Sequence, residues 1–192
     1  MLLAHREDDW VSSDPRRIHR WFVGAVDLHG ERLRRVCRYL KAWRDHHSPE
    51  LAPLSSIILM ACACRAFDEV GRPNMPERDD LAMLKVVERL PDYMRGEIEN
   101  PSDRAEKLCS RLSDEARRDA VAKAESLKAE MGAIIGKCVS ESQAIEGMRE
   151  LLGARIPNDV SLVSVAESAT VEVLRNPPRH VPAPTVGRSQ SG

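Results

Sequence analysis

Lys41 closes a run of basic residues on one side of a predicted helix, and Ser55-Ser56 follow about fourteen residues later at a second predicted helix start. A lysine ammonium is a compact point charge, and a serine hydroxyl beside unpaired helix N–H groups adds hydrogen-bond donors. That combination suits a compact polyphosphate such as a nucleotide triphosphate. Two other readings fit the same run of charge: a solvated helix face, or a nucleic-acid contact. The second is the poorer fit, because Tyr39 and Trp43 are its only aromatic companions and no base-reading motif accompanies them. A formal net charge of -1 also argues against binding nucleic acid by bulk charge.

The other reactive side chains point to structure. Five cysteines are an odd number, read as reduced thiols of a cytoplasmic protein. Cys62 and Cys64 are two apart in a helical run, face different sides, and make no metal pair. Cys37 falls on an apolar stripe, where a thiol acts as a small hydrophobe. His46-His47 close a helix without ligand geometry, and His5, His19, His29 and His180 are scattered.

These residues need elements to position them. A chain of 192 residues, 42% hydrophobic and 31% charged, can build one core. No stretch reaches the roughly 18 to 20 apolar residues of a membrane span, and MLLAHREDDW is too short and acidic for a signal peptide. The expectation is no membrane partner, no nucleic acid and a cytoplasmic location. All seven aromatics fall within residues 10 to 93, which places the best-anchored core there. Residues 15 to 45 hold nine Lys or Arg against three acids, so a near-neutral chain hides a cationic patch.

Asp14-Pro15 is a strong helix start, predicting a helix to about Leu28 with Ile18, Trp21, Phe22 and Ala25 on one stripe. Gly30 separates it from a second helix over 31 to 46. There Leu33, Val36, Cys37 and Leu40 face the core, and Arg34, Arg35, Arg38 and Lys41 face away. IILMACACRAF after Ser55-Ser56 is apolar on most sides and should be the central helix. A fourth helix is expected over 78 to 90, with Leu81, Leu84, Val86 and Val87 inward and Pro91 ending it. Asn100-Pro101-Ser102-Asp103 is expected to open two further helices, broken where Ser113 can cap, and a last helix over 140 to 152 stops at Gly153. The weak alternation over 160 to 165 fits a strand or a helix. The fold class is therefore all-α, a bundle of six or seven helices with a disordered, Pro-rich C-terminal tail. The expected division is an N-terminal approach segment (1–13), a helical lobe (14–157) and a weakly structured tail (158–192).

Trp10-Val11-Ser12-Ser13-Asp14-Pro15, Trp21-Phe22, LRRVCRYLKAWRD (33 to 45) and Ser55-Ser56-Ile57 together resemble the C-terminal half of the cGAS/DncV-like nucleotidyltransferases, in their bacterial anti-phage branch. The match is dense from about residue 3 to 70 and looser over 95 to 103 and 151 to 157. The resemblance implies a two-lobed enzyme that joins ATP and GTP into cyclic GMP-AMP. Its N-terminal lobe would carry a Gly-Ser motif and three carboxylates for two Mg²⁺ ions. It further implies that Lys41 and Ser56 contact donor triphosphate, that Ser13 lies near the nucleotide, and that Asp103 helps recognise the base. Leu54 stands where the family has a proline.

No Gly-Ser and no Asp-x-Asp occurs in the chain. Glu7-x-Asp9 and Glu97-x-Glu99 read as ordinary solvated acids. The expectation is thus half an enzyme, from a truncated or mis-called gene, with no catalytic residue, no metal site and no Mg of its own. The alternative is a stand-alone nucleotide-binding or regulatory helical module without enzyme activity. Relatives conjugated through the C-terminus suggest a ubiquitin-transfer-like enzyme as a further partner at Gly192.

Overall fold

The second helix takes its position from five residues. Leu33, Val36, Cys37, Leu40 and Trp43 recur at three and four, so all five side chains fall on one stripe and all are buried. The stripe fixes the rotation of this helix, and the rest of the lobe is assembled around it.

The computed structural model describes residues 2–3, 11–12, 15–138 and 140–163. Within these, seven α-helices are present: α1 (Pro15–His29), α2 (Glu31–His46), α3 (Ser56–Val70), α4 (Asp79–Val87), α5 (Leu90–Arg95), α6 (Asp114–Lys137) and α7 (Glu141–Leu152). Two small antiparallel ribbons accompany them. One pairs β1 (Leu2–Leu3) with β2 (Val11–Ser12); the other pairs β3 (Glu99–Asn100) with β4 (Asp103–Lys107), with a register shift at its turn. The class is all-α, as expected. Ser13, the acids Glu7, Asp8 and Asp9, and the tail from 164 to Gly192 lie outside the described residues.

The first three helices follow the sequence reading, with the break at Gly30 and α3 as the central buried helix. Trp43 is 1% exposed and in the core, whereas Trp21 and Phe22 are half-buried against it. In α4 the inward set is Ala82, Met83, Val86 and Val87, with Leu81 and Leu84 only half-buried. Proline 91 does not simply end that helix. It occupies the first turn of α5, where a missing N–H costs nothing because that group has no intrahelical partner.

The expected helix opening at residues 100 to 103 is instead a hairpin. Asn100 Oδ1 accepts from both the N–H (2.9 Å) and the hydroxyl (2.8 Å) of Ser102, and Asn100 Nδ2 donates to Glu106 Oε2 at 2.6 Å. The asparagine side chain thereby closes a turn that competes with a helix start. After a 3-10 turn at Leu108–Arg111, Ser113 caps α6 as predicted, accepting from Ala116 N at 3.1 Å. The span over 160 to 165 holds a 3-10 turn, Val160–Leu162.

Helix α6 packs with Ala120, Ala124, Leu127 and Met131 on one buried stripe. Arg117 ties it to α5 by donating to the carbonyls of Met94 (2.8 Å), Arg95 (2.6 Å) and Gly96 (2.5 Å), which satisfies a helix end. Helix α7 crosses α6 closely at Gly147, where a Cβ would sit 2.8 Å from Ile134 Cγ1.

Gly153 ends α7 with φ 78°, and a Cβ there would meet the His46 ring at 2.8 Å and His46 Cβ at 3.2 Å. The Cβ of His46 cannot swing away as a chain tip could. Gly153→Ala is expected to lower stability by about 1–3 kcal/mol for the backbone conformation alone (φ 78°, ψ -170°), plus a steric part. In urea unfolding, adding His46→Ala removes the ring and keeps Cβ, so it should recover the ring's share of the steric part and leave the backbone part.

Candidate nucleotide-contacting site

The predicted site residues that are described fall in or beside two places. The first is the corner where α2 ends and α3 begins. Lys41 is half-buried on α2 and makes no ion pair among the described residues. Arg44, one turn on, is neighbour to Lys41 on the helix surface. Its guanidinium Nη1 donates to Ser56 Oγ at 2.7 Å and lies 3.4 Å from the Leu54 carbonyl. Thus Arg44 ties α2, beside Lys41, to the α3 serine that the sequence singles out.

Ser56 is not the cap of α3. Ser55 occupies that position with extended backbone (φ -68°, ψ 151°), makes no side-chain cap bond, and keeps a buried Oγ without a partner. Ser56 is the first helical residue. Arg44 Nε and Nη2 both bond Asp45 Oδ1, at 3.0 and 2.6 Å, while Arg155 Nη2 bonds Asp45 Oδ2 at 2.9 Å. The Arg44 hydrogen bond, with Arg155 adding to it, holds the Asp45 carboxyl below its ordinary range against the opposing effect of burial.

The second place is a cleft of ≈ 420 Å³ along α3, bounded by Trp21, Ala61, Arg65, Tyr93, Glu97 and Pro101 among others. Ala61 is five residues past Ser56, roughly 7.5 Å along the helix axis. Arg65 lies 4.4 Å over the Tyr93 ring and bonds Glu69 at 3.0 Å. The Tyr93 hydroxyl donates to Glu69 Oε2 at 2.5 Å, which is the main reason the Glu69 carboxyl sits low. Asp103 is exposed at the start of β4, across the hairpin turn from Asn100 in that cleft wall. A larger apolar groove of ≈ 650 Å³, between α4, α6 and α7, is lined by none of Lys41, Ser56 or Asp103.

The cationic patch is smaller than the charge count suggests. Arg35 makes a two-bond pair with Asp79 (2.5 and 2.8 Å), Arg34 sits 3.3 Å from Glu31, and Arg44 is held by Asp45. Acids from α4 and from α2 itself take these charges up, leaving Arg32, Arg38 and Lys41 as the α2 Lys and Arg residues without an ion pair among the described residues, with Arg32 turned to the Met75 carbonyl at 3.4 Å.

The described carboxylates do not fit a paired-Mg²⁺ cage. Glu97 sits 3.4 Å from Lys107, Asp68 takes His29 at 2.8 Å, and Glu106 pairs with Arg111. Each acid is tied to a different cation, and no group of three His, Cys, Asp or Glu that could hold a metal occurs among the described residues. Sequence reasoning missed Arg44 and Arg155. The first had a usable signal, its place one turn beyond Lys41; the second had none, because only folding brings residue 155 to residue 45.

Four of the five thiols are buried and Cys138 is half-buried. Burial pushes the Cys37 thiol up to about 12, and moves Cys62 and Cys64 upward as well. A disulfide reagent such as DTNB at pH 8 should modify one thiol quickly, with the other four reacting only on unfolding. Cys138→Ser should remove the fast phase.

A family model described as "Cyclic GMP-AMP synthase, C-terminal domain" matches residues 30–165. The cyclic GMP-AMP synthase of Vibrio cholerae serotype O1 is 32% identical over 168 residues, covering 84% of this chain and 37% of the relative. A synthase of the same name from Escherichia coli is 29% identical over 177 residues, covering 91% and 39%. Among solved structures, Vibrio cholerae DncV in complex with the linear intermediate 5' pppA(3',5')pG superposes with a TM-score of 0.69. It is 28% identical, with 84% of this chain and 44% of that one covered. Escherichia coli DncV in its 3'-deoxy GTP bound form gives a TM-score of 0.69 at 25% identity, covering 84% and 43%. The chain spans less than half the length of the curated relatives it matches. Over residues 30–165 sequence and fold agree, and the chain belongs to the cyclic GMP-AMP synthase C-terminal domain family.

Proposed function

We propose that this chain is the helical, nucleotide-contacting lobe of a nucleotidyltransferase that makes cyclic GMP-AMP from ATP and GTP in anti-phage signalling. The observation that carries the reading is the corner between α2 and α3. An unpaired lysine, a serine hydroxyl and the first N–H groups of α3 gather there on the two helices matched by the family. Lys41 supplies charge to a donor triphosphate and Ser56 a directed hydrogen bond. Asp103, across the hairpin turn from Asn100, takes the base, and the resemblance adds Ser13 as a further nucleotide contact. The relatives' complexes with pppA(3',5')pG and with GTP support nucleotides as the ligands.

This lobe acts by binding and orienting. Near the cleft named above, Asp68, Glu97 and Glu106 are each spent on a cation of the lobe itself. Two metal ions would neutralise phosphate charge and activate the attacking hydroxyl, and their ligands must come from outside the described residues.

Calorimetric titration with ATP should show binding that Lys41→Ala weakens about tenfold, the loss expected for a charged contact to phosphate. Unchanged affinity in Lys41→Ala would count against the site.

Incubated with ATP, GTP and Mg²⁺, the chain alone should yield no cyclic product by chromatography. Adding a separately expressed N-terminal lobe of a relative should restore it. ATP binding without such restoration would favour a stand-alone binding module, and product from the chain alone would refute the half-enzyme reading.

A further inference from the structure

We propose that Arg44 is a positioning residue that aims the Ser56 hydroxyl at phosphate, held in place by an Asp45 carboxylate shared with Arg155. This deepens the reading above and rests on it.

The argument begins with proton counting. A guanidinium has donors and no acceptor, whereas a serine hydroxyl has one proton and two lone pairs. In the 2.7 Å contact Arg44 Nη1 must donate and Ser56 Oγ must accept. The single hydroxyl proton is therefore directed away from Arg44 and is available to donate elsewhere. Without the arginine, the same hydroxyl could accept from solvent or turn its proton back to a carbonyl of the preceding loop. Arg44 removes that freedom.

Arg44 is itself well held. Its side chain is only 20% exposed, and three of its nitrogens are engaged: one by Ser56 and two by a single oxygen of Asp45. Asp45 is in turn fixed through its other oxygen by Arg155, which arrives from the 3-10 turn Gly153–Arg155 after α7. Two cations share one anion, so the cluster carries a net charge of +1 beside Lys41. Arg155 thus contributes twice, by anchoring Asp45 and by keeping the corner positive. It makes one contact through one nitrogen, which a lysine can supply. Arg44 serves two partners in a planar fork, which a lysine cannot.

The experiment is calorimetric titration of the full 192-residue chain with inorganic tripolyphosphate, which reports the phosphate corner without the base. Arg44→Lys keeps the charge and loses the fork. It should raise Kd about tenfold with an unchanged salt slope, and Ser56→Ala should do about the same. The double variant should bind no worse than Ser56→Ala alone, because both act through one hydroxyl. Additive losses, or an Arg44→Lys affinity within twofold of the parent, would overturn the positioning role. Retained losses in Lys41→Ala and Ser56→Ala would then leave the phosphate site standing. No tripolyphosphate binding by the parent would remove site and role together. Arg155 is 64% exposed, so its loss should not unfold the lobe, and it provides a second arm should Arg44→Lys fail to fold. Arg155→Ala should weaken binding about threefold, with a shallower salt slope, and Arg155→Lys should restore it. Equal affinity in all three would also overturn the proposal.

Discussion

The burial of Trp43 and its stripe is the constraint on which this lobe turns. Leu33, Val36, Cys37, Leu40 and Trp43 are all 2% exposed or less, and large flat or branched side chains in such a position permit one rotation of the helix. Once that rotation is set, Lys41 and Arg44 have no choice of direction. The polar corner is the other face of an apolar decision. A change in the stripe would move the cations without touching them.

Ion pairing divides the cationic surface further. Nine basic residues over 15 to 45 suggest a continuous positive field. Folding brings Asp79 from α4 against Arg35 and sets Asp45 between Arg44 and Arg155, so much of that field is cancelled locally. What survives is a small focus rather than a stripe. Such a focus suits a ligand whose charge is concentrated over a few ångströms, and suits an extended polyanion poorly.

Much of this was legible in the sequence. Periodicity at three and four marked α2, and Pro15, Gly30, Ser113 and Gly153 marked boundaries where the helices do begin or stop. Two turns were misread for opposite reasons. Asn100 reads as a helix opener but spends its side chain on Ser102, and Pro91 reads as a terminator but begins a short helix. Both are local competitions that a few hydrogen bonds decide. At the site, Lys41 and Ser56 were visible through their motif. Arg155 was not, because its partner lies more than a hundred residues earlier and no local pattern encodes that meeting.

The contact between Gly153 and His46 carries a practical consequence for anyone shortening this polypeptide. The end of α7 leans on the end of α2, and the very next turn delivers Arg155 to Asp45. A boundary drawn at Leu152 would look natural, since the last regular helix finishes there. It would also strip away the buttress behind the corner between α2 and α3, so a trimmed version should retain the stretch through at least Ile156.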